Sequence, residues 1–247
     1  MNNSKAKNIL VTGASKGIGK SIAKLLALQN HNVFIIARNE DALKKTAIEI
    51  GAKGYFVTDL TQSDNCKSVI DKIITQAGSI DILINNAGGY VYSPIDKTKE
   101  NDIENIINLN IKAPYILSKY AVENMKKNNW GRIINIGSIS GVVGEANASL
   151  YSMTKSAFLG FSKALALELA TDNITVNTIN PGWVETELAE NAIEESDFTI
   201  EEELEMIPQR RFIQPDEIAN LVNYLISEDA KGMTGQSISL CAGLSAG

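Results

Sequence analysis

The stretch NILVTGASKGIGKSIAKLLA, residues 8–27, contains a short apolar run, three glycines and an amphipathic segment in direct succession. This order predicts a buried strand, a tight turn and a helix. Gly13, Gly17 and Gly19 would let the backbone approach a pyrophosphate and let the helix pack closely on the strand. The free N–H groups and the positive dipole end at the helix start favour an anion there. However, the G-x-x-x-G-x-G spacing is not the common dinucleotide-binding spacing, and many strand-to-helix turns need glycine for steric reasons alone. The turn by itself leaves nucleotide binding and tight packing both open.

Apolar runs of strand length recur along the chain and alternate with amphipathic segments of helix length. These runs are NILVT, NVFIIA, GYFVT, DILIN, RIINIG, ITVNTI and SISLC. Strands that lack in/out alternation and are separated by helices are typical of a parallel sheet covered on both faces. We therefore predict an α/β fold with a doubly wound parallel sheet. The predicted helices lie near 17–29, 40–50, 63–77, 100–127, 149–170 and 215–227.

No linker, internal repeat or low-complexity tract divides residues 1–247, so we expect a single domain. The segment from Trp183 to Arg211 interrupts the alternation directly after a predicted strand and contains no strand-like run. Long excursions at this place often cover ligand sites. We expect a substrate lid near 183–211.

Composition and charge exclude several classes of function. The formal net charge of −6 and the dispersed cations give no general attraction for polyanions, so we expect no nucleic-acid partner. Cys66 and Cys241 have neither disulfide-framework nor metal-ligand spacing. Apolar runs are too short for a signal sequence or a membrane span, which predicts a soluble cytoplasmic protein without membrane contact. His31 is the one histidine and precedes the second strand, at the wrong sheet edge for a Ser/His/Asp hydrolase, and ligands for a catalytic zinc are lacking.

The end of the second predicted strand bears on the choice of nucleotide. NAD-specific sites usually present an acid to the ribose 2′-hydroxyl here, whereas NADP sites present cations to the 2′-phosphate. This strand ends in Ala37 and Arg38, and Lys16 in the glycine turn could reach the same phosphate. We expect NADP(H) to be favoured over NAD(H), although Glu40 is close enough to keep NAD(H) possible. The alternative is that both cations are solvated surface residues.

A tyrosine and a lysine lie four residues apart in SLYSMTKSAF, residues 149–158. On a helix, Tyr151 and Lys155 would share one face and could address one ligand together. A phenol with a pKa of about 10 is a poor base at neutral pH, and a nearby ammonium would lower that value. The pair could then exchange a proton with a carbonyl or alcohol oxygen, as hydride transfer requires. Taken alone, this spacing is also common on helix surfaces.

The motifs NNAG at 85–88, NIGSIS at 135–140 and NPGW at 180–183 occur in order with the glycine turn and the Tyr/Lys pair. With these motifs the sequence resembles the short-chain dehydrogenase/reductase family from Val11 to about Gly235. The resemblance implies a Rossmann-type sheet of about seven strands and a homotetramer formed through the long helices and the last strand. It also implies a catalytic tetrad of Asn110, Ser138, Tyr151 and Lys155.

The same resemblance implies which residues contact the cofactor. Lys155 would hold the nicotinamide ribose and Asn110 would keep a water chain to solvent. The implied cofactor contacts are Gly13, Ser15, Lys16, Gly17, Ile18, Gly19, Arg38, Asp59, Leu60, Asn86, Ala87, Gly88, Tyr151, Lys155, Pro181, Gly182, Val184 and Thr186. No metal is implied.

Within the family, GRIINIGSISGVVG and NTINPGWVETEL resemble 3-oxoacyl-(acyl-carrier-protein) reductases, which implies NADPH-dependent reduction of a 3-oxoacyl thioester. Asn129 and Asp172 stand where carrier-protein reductases often have arginines, and LCAGLSAG replaces their common DGG ending. The lid would also repel an acidic carrier. Its acids are Glu190, Glu194, Glu195, Glu201, Glu202, Glu203 and Glu205. A polyketide, acyl-CoA, steroid, cyclic or sugar alcohol substrate therefore stays open, as does a non-catalytic nucleotide-binding regulator.

Overall fold

The computed structural model describes residues 6–195 and 199–246. Seven strands follow one another along the chain, each preceded or followed by helix. They are β1 Asn8–Thr12, β2 Asn32–Ala37, β3 Gly54–Val57, β4 Ile82–Asn85, β5 Gly131–Ile136, β6 Ile174–Pro181 and β7 Ser237–Leu240.

The helices are α1 Gly17–Leu28, α2 Glu40–Ile50, α3 Ser63–Ala77, α4 Glu100–Ile107, α5 Ala113–Lys127, α6 Ser140–Val143, α7 Ser149–Leu169, α8 Glu187–Glu195, α9 Ile200–Met206 and α10 Pro215–Ile226.

All seven strands form one sheet in the order β3-β2-β1-β4-β5-β6-β7, and every pairing is parallel. The chain runs outward from β1 to β3 and then returns to pair β4 with β1. The order therefore reverses between β1 and β4, where open α/β sheets bind ligands at the carboxyl ends of their strands. This confirms the predicted doubly wound sheet.

Side chains of one strand enter both cores. Ile9 and Val11 of β1 pack with Ile22 of α1 and Val222 of α10 on one face. Leu10, between them, faces the other core with residues of α3 and α5. This alternation explains why β1 reads as a continuous apolar run, since both of its faces are buried.

The predicted helix at 100–127 is interrupted. Residues Asn108–Lys112 form a π-helical turn between α4 and α5. This turn carries Asn110, which is 1% exposed and whose side-chain oxygen accepts a hydrogen bond from the Gly89 amide in a neighbouring loop. A local hydrophobic pattern does not contain such a contact, and the prediction of one unbroken helix was wrong.

The predicted lid segment contains α8 and α9. A parallel bridge between Val184 and Ile213 joins the two ends of the excursion. Thr199 caps α9, with its hydroxyl accepting from the amide of Glu202 at 3.3 Å and the Glu202 carboxylate accepting from the amide of Thr199 at 2.8 Å. Residues 196–198 of the predicted lid lie outside the described residues.

Candidate active site

A cavity of about 660 Å³ opens at the carboxyl edge of the sheet, where the strand order reverses. Loops after β1, β2, β4 and β5 contribute to its wall, together with α7 and the start of α8. The lining comprises Gly13, Ser15, Lys16, Gly17, Ile18, Ile36, Ala37, Arg38, Asn39, Thr58, Leu60, Asn86, Ala87, Gly88, Gly89, Leu109, Ile136, Gly137, Tyr151, Lys155, Thr186, Glu187 and Leu188.

The glycine turn is locked to the end of β4. The Asn86 side-chain amide donates to the carbonyl oxygens of Thr12 at 2.8 Å and of Gly13 at 3.1 Å. Gly13 has a φ of +66°, and an added Cβ there would lie 2.9 Å from the Cα of Ala87. A side chain at this position would be strained by its backbone conformation and would also collide with the neighbouring loop. The NNAG motif and the glycine turn thus form one rigid unit.

The start of α1 fits the pyrophosphate of a dinucleotide. Lys16 precedes the first turn of α1, and within the described residues no side chain caps that turn. Gly17 has a φ of +54°, so the chain enters the helix without a side chain over the turn. Uncapped N–H groups at a helix start form an anion site together with the helix dipole. The residues at this helix start therefore suit the pyrophosphate of a dinucleotide.

Both cations predicted from the sequence, Lys16 and Arg38, line this cavity. Arg38 is exposed at the end of β2, next to Asn39, whose side chain caps α2 by accepting from the amide of Ala42. The Lys16 ammonium is paired at 2.8 Å with the carboxylate of Glu187 in α8. Glu40 is the first residue of α2 and is not among the residues that line the cavity.

Some implied cofactor contacts do not line this cavity; they are Gly19, Asp59, Pro181, Gly182 and Val184. A Cβ on Gly19 would collide with the side chain of Asn86, so this glycine permits close packing of α1. The Asp59 carboxylate instead accepts from the amide of Thr61 at 3.0 Å within its own turn.

Sequence reasoning missed other lining residues. They are Ile36, Ala37, Asn39, Thr58, Gly89, Leu109, Ile136, Gly137, Glu187 and Leu188. Several directly adjoin a predicted strand end or a quoted motif, and that proximity was the available signal.

Tyr151 and Lys155 lie in the first two turns of α7, as predicted. Lys155 is 5% exposed, and its ammonium donates to the carbonyl oxygen of Ile136 at 2.9 Å. The ammonium nitrogen lies 5.7 Å from the centroid of the Tyr151 ring. Burial lowers the pKa of Lys155 to about 8. An ammonium has three protons, and the bond to Ile136 uses one.

The pKa of Tyr151 differs from the sequence-based expectation. Burial raises it to about 12, a hydrogen bond with Ser138 acts in the opposite direction, and the charge of Glu145 adds to the rise. Lys155 is not among the causes of this shift, so the lowering of the Tyr151 pKa that the sequence suggested is not found in this arrangement. Desolvation of a phenolate outweighs an ammonium that is itself buried and directed to a backbone carbonyl. A phenol with a pKa raised in this way carries its proton at neutral pH.

Ser138 lies two residues beyond the end of β5 and is 9% exposed. Its hydroxyl donates to the hydroxyl of Ser140 at 3.1 Å and accepts from the Ser140 amide at 3.1 Å. The hydrogen bond with Tyr151 brings the two hydroxyls together; Tyr151 lines the cavity, whereas Ser138 is not among its lining residues. Two hydroxyls converging on one point can bind a carbonyl or alcohol oxygen.

Asn110 fixes the loop that follows β4. Its side chain accepts from the Gly89 amide at 2.9 Å and donates to the Gly89 carbonyl at 3.0 Å and to the Thr154 hydroxyl at 3.0 Å. A Cβ on Gly88 would lie 3.3 Å from the Lys155 ammonium and 3.4 Å from the Asn110 side-chain oxygen. The structure thus brings the four predicted catalytic residues to one corner of the fold.

A carboxylate that sequence reasoning did not single out joins this corner. Glu145, in the loop between α6 and α7, accepts hydrogen bonds from the hydroxyls of Tyr90 and Ser140. The Tyr90 and Tyr151 rings contact each other edge to face, with centroids 4.9 Å apart. A single acid in a loop has no spacing signal that could have revealed it.

Other groups considered from the sequence lie away from the site. His31 stands at the beginning of β2, and its ring nitrogen accepts from the amide of Lys7 at 3.2 Å. Among residues 6–195 and 199–246, no cluster of three or more His, Cys, Asp or Glu side chains could hold a metal ion. The described helices include none that is long and apolar enough to cross a membrane.

Comparisons with known proteins agree with this geometry. Residues 7–197 match the model of the short chain dehydrogenase family. The chain is 36% identical over 250 residues to the uncharacterized oxidoreductase YxjF of Bacillus subtilis (strain 168), covering 96% of this chain and 97% of YxjF. It is 36% identical over 239 residues to the 3-oxoacyl-(acyl-carrier-protein) reductase FabG of Buchnera aphidicola subsp. Schizaphis graminum (strain Sg), covering 96% and 97% of the two chains.

Solved structures are similar over nearly the whole chain. A variant of actinorhodin polyketide ketoreductase with NADPH superposes with a TM-score of 0.93 at 32% identity, covering 97% of each chain. The 3-ketoacyl-(acyl-carrier-protein) reductase of Brucella melitensis complexed with NADH has a TM-score of 0.90 at 26% identity, covering 98% of this chain and 99% of the other. The chain belongs to the short chain dehydrogenase family and is an oxidoreductase that acts on carbonyl or alcohol groups.

Proposed function

We propose that this protein reduces a ketone, specifically a 3-oxoacyl thioester, to a secondary alcohol with NADPH. The observation that carries the proposal is the position of the Tyr151 phenol, which lines a cavity that suits a dinucleotide and is hydrogen-bonded to Ser138. A proton donor with a pKa raised to about 12 holds its proton at neutral pH. Reduction of a carbonyl needs such a donor at the oxygen.

Each residue of the tetrad has a distinct task in this proposal. Bound NADPH would supply the hydride. Ser138 and Tyr151 would hold the substrate oxygen, and Tyr151 would give it a proton. Lys155 would bind the nicotinamide ribose, and its positive charge would stabilise the Tyr151 phenolate that forms when the proton is transferred. Asn110 would keep the Gly89 loop in place at the cavity wall.

Two cations in the wall of the cavity support NADPH over NADH. Arg38 and Lys16 both line this cavity, while Glu40 does not. A phosphate about 4 Å from a cation gains roughly 1 to 4 kcal/mol across effective dielectrics of 80 to 20, and about 1.4 kcal/mol is tenfold in affinity. The similar structures include one with NADPH and one with NADH, so the preference rests on these two side chains.

The substrate class rests on relatives and on surface charge. The similarity to proteins named 3-oxoacyl-(acyl-carrier-protein) reductase supports a 3-oxoacyl thioester. Asp172, which stands where carrier-protein reductases often have an arginine, pairs with Lys126 at 3.3 Å and so offsets the charge of this lysine. Acids of α8 and α9 add negative charge to the lid. We propose that the thioester is presented as a small molecule, because an acidic carrier protein would be repelled.

Three further features belong to the proposal. The protein would act as a homotetramer, which is supported by Tyr115 of α5 and Leu167 of α7, large side chains that are 60% and 82% exposed on the two long helices. It would fold as one domain around its single described sheet. It would work in the cytoplasm, since Cys66 and Cys241 are both free thiols.

The test is a panel of 3-oxoacyl thioesters, polyketide analogues, steroid ketones and simple ketones, each assayed with NADPH and NADH. We expect a short 3-oxoacyl-CoA to be reduced with NADPH, and NADPH to bind at least tenfold more tightly than NADH. Arg38→Asp should erase that difference, whereas Lys53→Asp, a matched charge change on the exposed surface before β3, should leave it. Equal affinities for the two cofactors in the unaltered protein would overturn the choice of NADPH, and oxidation of NADPH by none of the panel would overturn the proposed reaction.

A further inference from the structure

Glu145 occupies a fixed position beside the reacting hydroxyls. One carboxylate oxygen accepts from the Tyr90 hydroxyl at 2.5 Å and the other accepts from the Ser140 hydroxyl at 2.6 Å. A carboxylate without its proton can only accept, so both hydroxyls must donate. Hydrogen bonds to a charged acceptor are short and strong, which keeps both partners oriented.

The loop that carries Glu145 is clamped to the loop after β4. The Asn147 side-chain amide donates to the Tyr92 hydroxyl at 3.0 Å, and the Ser93 amide donates to the Asn147 carbonyl oxygen at 2.5 Å. Asn147 has a φ of +58° and Gly144 a φ of +81°, which are conformations that few residue types adopt readily. These contacts prevent the carboxylate from turning away without breaking several bonds.

The hydrogen bonds from Ser138 to Glu145 have a defined direction. Because the Ser140 hydroxyl gives its proton to Glu145, that hydroxyl offers Ser138 only a lone pair. Ser138 therefore donates to Ser140 at 3.1 Å. The Ser138 hydroxyl proton therefore points towards Ser140 and Glu145. Ser138 must break its hydrogen bond to Ser140 before it can donate to a phenolate on Tyr151.

Several titratable or charged groups surround the Tyr151 phenol. Tyr90 contacts its ring, and burial followed by the hydrogen bond to Glu145 raises the Tyr90 pKa, so this neighbour stays neutral. Lys155 approaches from the next turn of α7 and is directed to a carbonyl. Glu203 of α9 is 7% exposed and interacts with Glu145 rather than with Tyr151; burial raises its pKa, a hydrogen bond with Trp183 acts in the opposite direction, and the charge of Glu145 adds to the rise. Glu145 is thus the acid with the direct hydrogen-bonded connection to the reacting hydroxyls.

We propose that Glu145 is a positioning residue that keeps the transferable proton on Tyr151, both by orienting Ser138 through Ser140 and by opposing negative charge on the phenol. The inference rests on the proposed role of Tyr151 as proton donor. With Glu145 in this position, the Tyr151 phenol keeps its proton at higher pH than it would with Lys155 as its only charged neighbour. Reduction is thereby sustained over a wider pH range.

The test replaces Glu145 by glutamine, which keeps the shape and removes the charge. The pKa of Tyr151 is read in two ways: from the pH dependence of kcat/KM for reduction, and from tyrosinate absorbance of each protein minus that of its Tyr151→Phe counterpart. At a separation of about 7 Å, a unit charge changes a pKa by roughly 0.4 to 1.7 units across effective dielectrics of 80 to 20. We expect Glu145→Gln to lower the Tyr151 pKa by that amount in both readouts.

The matched control is Glu168→Gln. Glu168 is an exposed acid of α7, 17 positions beyond Tyr151 and therefore about 25 Å from it at 1.5 Å per residue. It should leave the Tyr151 pKa unchanged. A second variant, Ser140→Ala, keeps the charge but breaks the hydrogen-bonded chain, and should lower the pKa by a smaller amount. This variant decides the matter if Glu145→Gln does not fold.

The inference is overturned if the Tyr151 pKa is unchanged or raised in Glu145→Gln. If Glu145→Gln does not fold, the same result in Ser140→Ala overturns it. The absorbance readout needs no turnover. Failure of the proposed reaction would therefore show as absent activity in the unaltered protein, while the absorbance difference would still report on Glu145.

Discussion

Replacing Glu187 by glutamine should tighten the binding of NADPH more than that of NADH. The Glu187 carboxylate holds the Lys16 ammonium at 2.8 Å, with the two side chains 61% and 60% exposed. An ion pair with this exposure contributes about 0.2 to 1 kcal/mol. If Lys16 reads the 2′-phosphate, binding of NADPH must compete with this pair, and releasing Lys16 should raise the NADPH affinity by about 1.5- to 5-fold. The NADPH-to-NADH affinity ratio should rise accordingly, because NADH lacks the phosphate.

The assay is fluorescence titration of both reduced cofactors against the unaltered protein and Glu187→Gln at low and high ionic strength. The gain should shrink as salt screens the charges. Glu194→Gln changes the same charge on the same helix, two turns further on, and should leave the ratio unchanged. An NADPH-to-NADH ratio that does not rise in Glu187→Gln would refute the assignment of Lys16 to the 2′-phosphate.

Two predictions concern stability. Lys155→Met should lose stability relative to the unaltered protein as the pH rises. Burial holds the pKa of Lys155 in the folded protein near 8, against 10.5 for the free side chain, so the unfolded chain binds more protons between these two pH values. The free energy of unfolding of the unaltered protein should therefore rise by about 3 kcal/mol through this window. Urea unfolding of both proteins at several pH values measures this gain, and a stability difference that is constant with pH would contradict it. Asn110→Ala removes the three hydrogen bonds that hold Gly89 and Thr154, and should cost about 1 to 3 kcal/mol, or about 2 to 10 °C in Tm. Thermal unfolding beside Asn108→Ala, from the same π-helical turn, checks this, and equal Tm values for the two variants would argue against the bracing role.

The sheet and most helices could be predicted because their signals are local. Strand β2, Asn32–Ala37, coincides with the apolar run NVFIIA, and α2, Glu40–Ile50, coincides with its predicted span. Parallel strands covered on both faces appear as uninterrupted apolar runs, and amphipathic helices must alternate with them to provide the cover. This requirement leaves few alternatives for the chain order.

The break in the helix at 100–127 could not be predicted in the same way. The π-helical turn contains Asn110, whose partners Gly89 and Thr154 are 21 and 44 positions away in the chain. A window of sequence contains no trace of such contacts. The same holds for Glu145, whose contact with Tyr90 spans 55 positions.

The site was predicted as a set of residues but not in its electrostatics. The spacing of Tyr151 and Lys155 gives their shared face, and the motifs give Ser138 and Asn110 through the family resemblance. The pKa of Tyr151 depends on how far burial penalises the phenolate, and that depth is a property of the packed structure. The sequence therefore suggested a lowered Tyr151 pKa, whereas burial in the folded structure raises it.

The most direct test of the account is the effect of Tyr151→Phe on reduction and on NADPH binding in parallel. Removing one hydroxyl deletes the proposed proton donor and leaves the cavity wall, the glycine turn and Lys155 in place. Loss of a general acid typically lowers the rate by about 10²- to 10⁴-fold. We predict a loss of this size in kcat with NADPH affinity changed less than about twofold. Retention of the full rate by Tyr151→Phe would contradict the central claim.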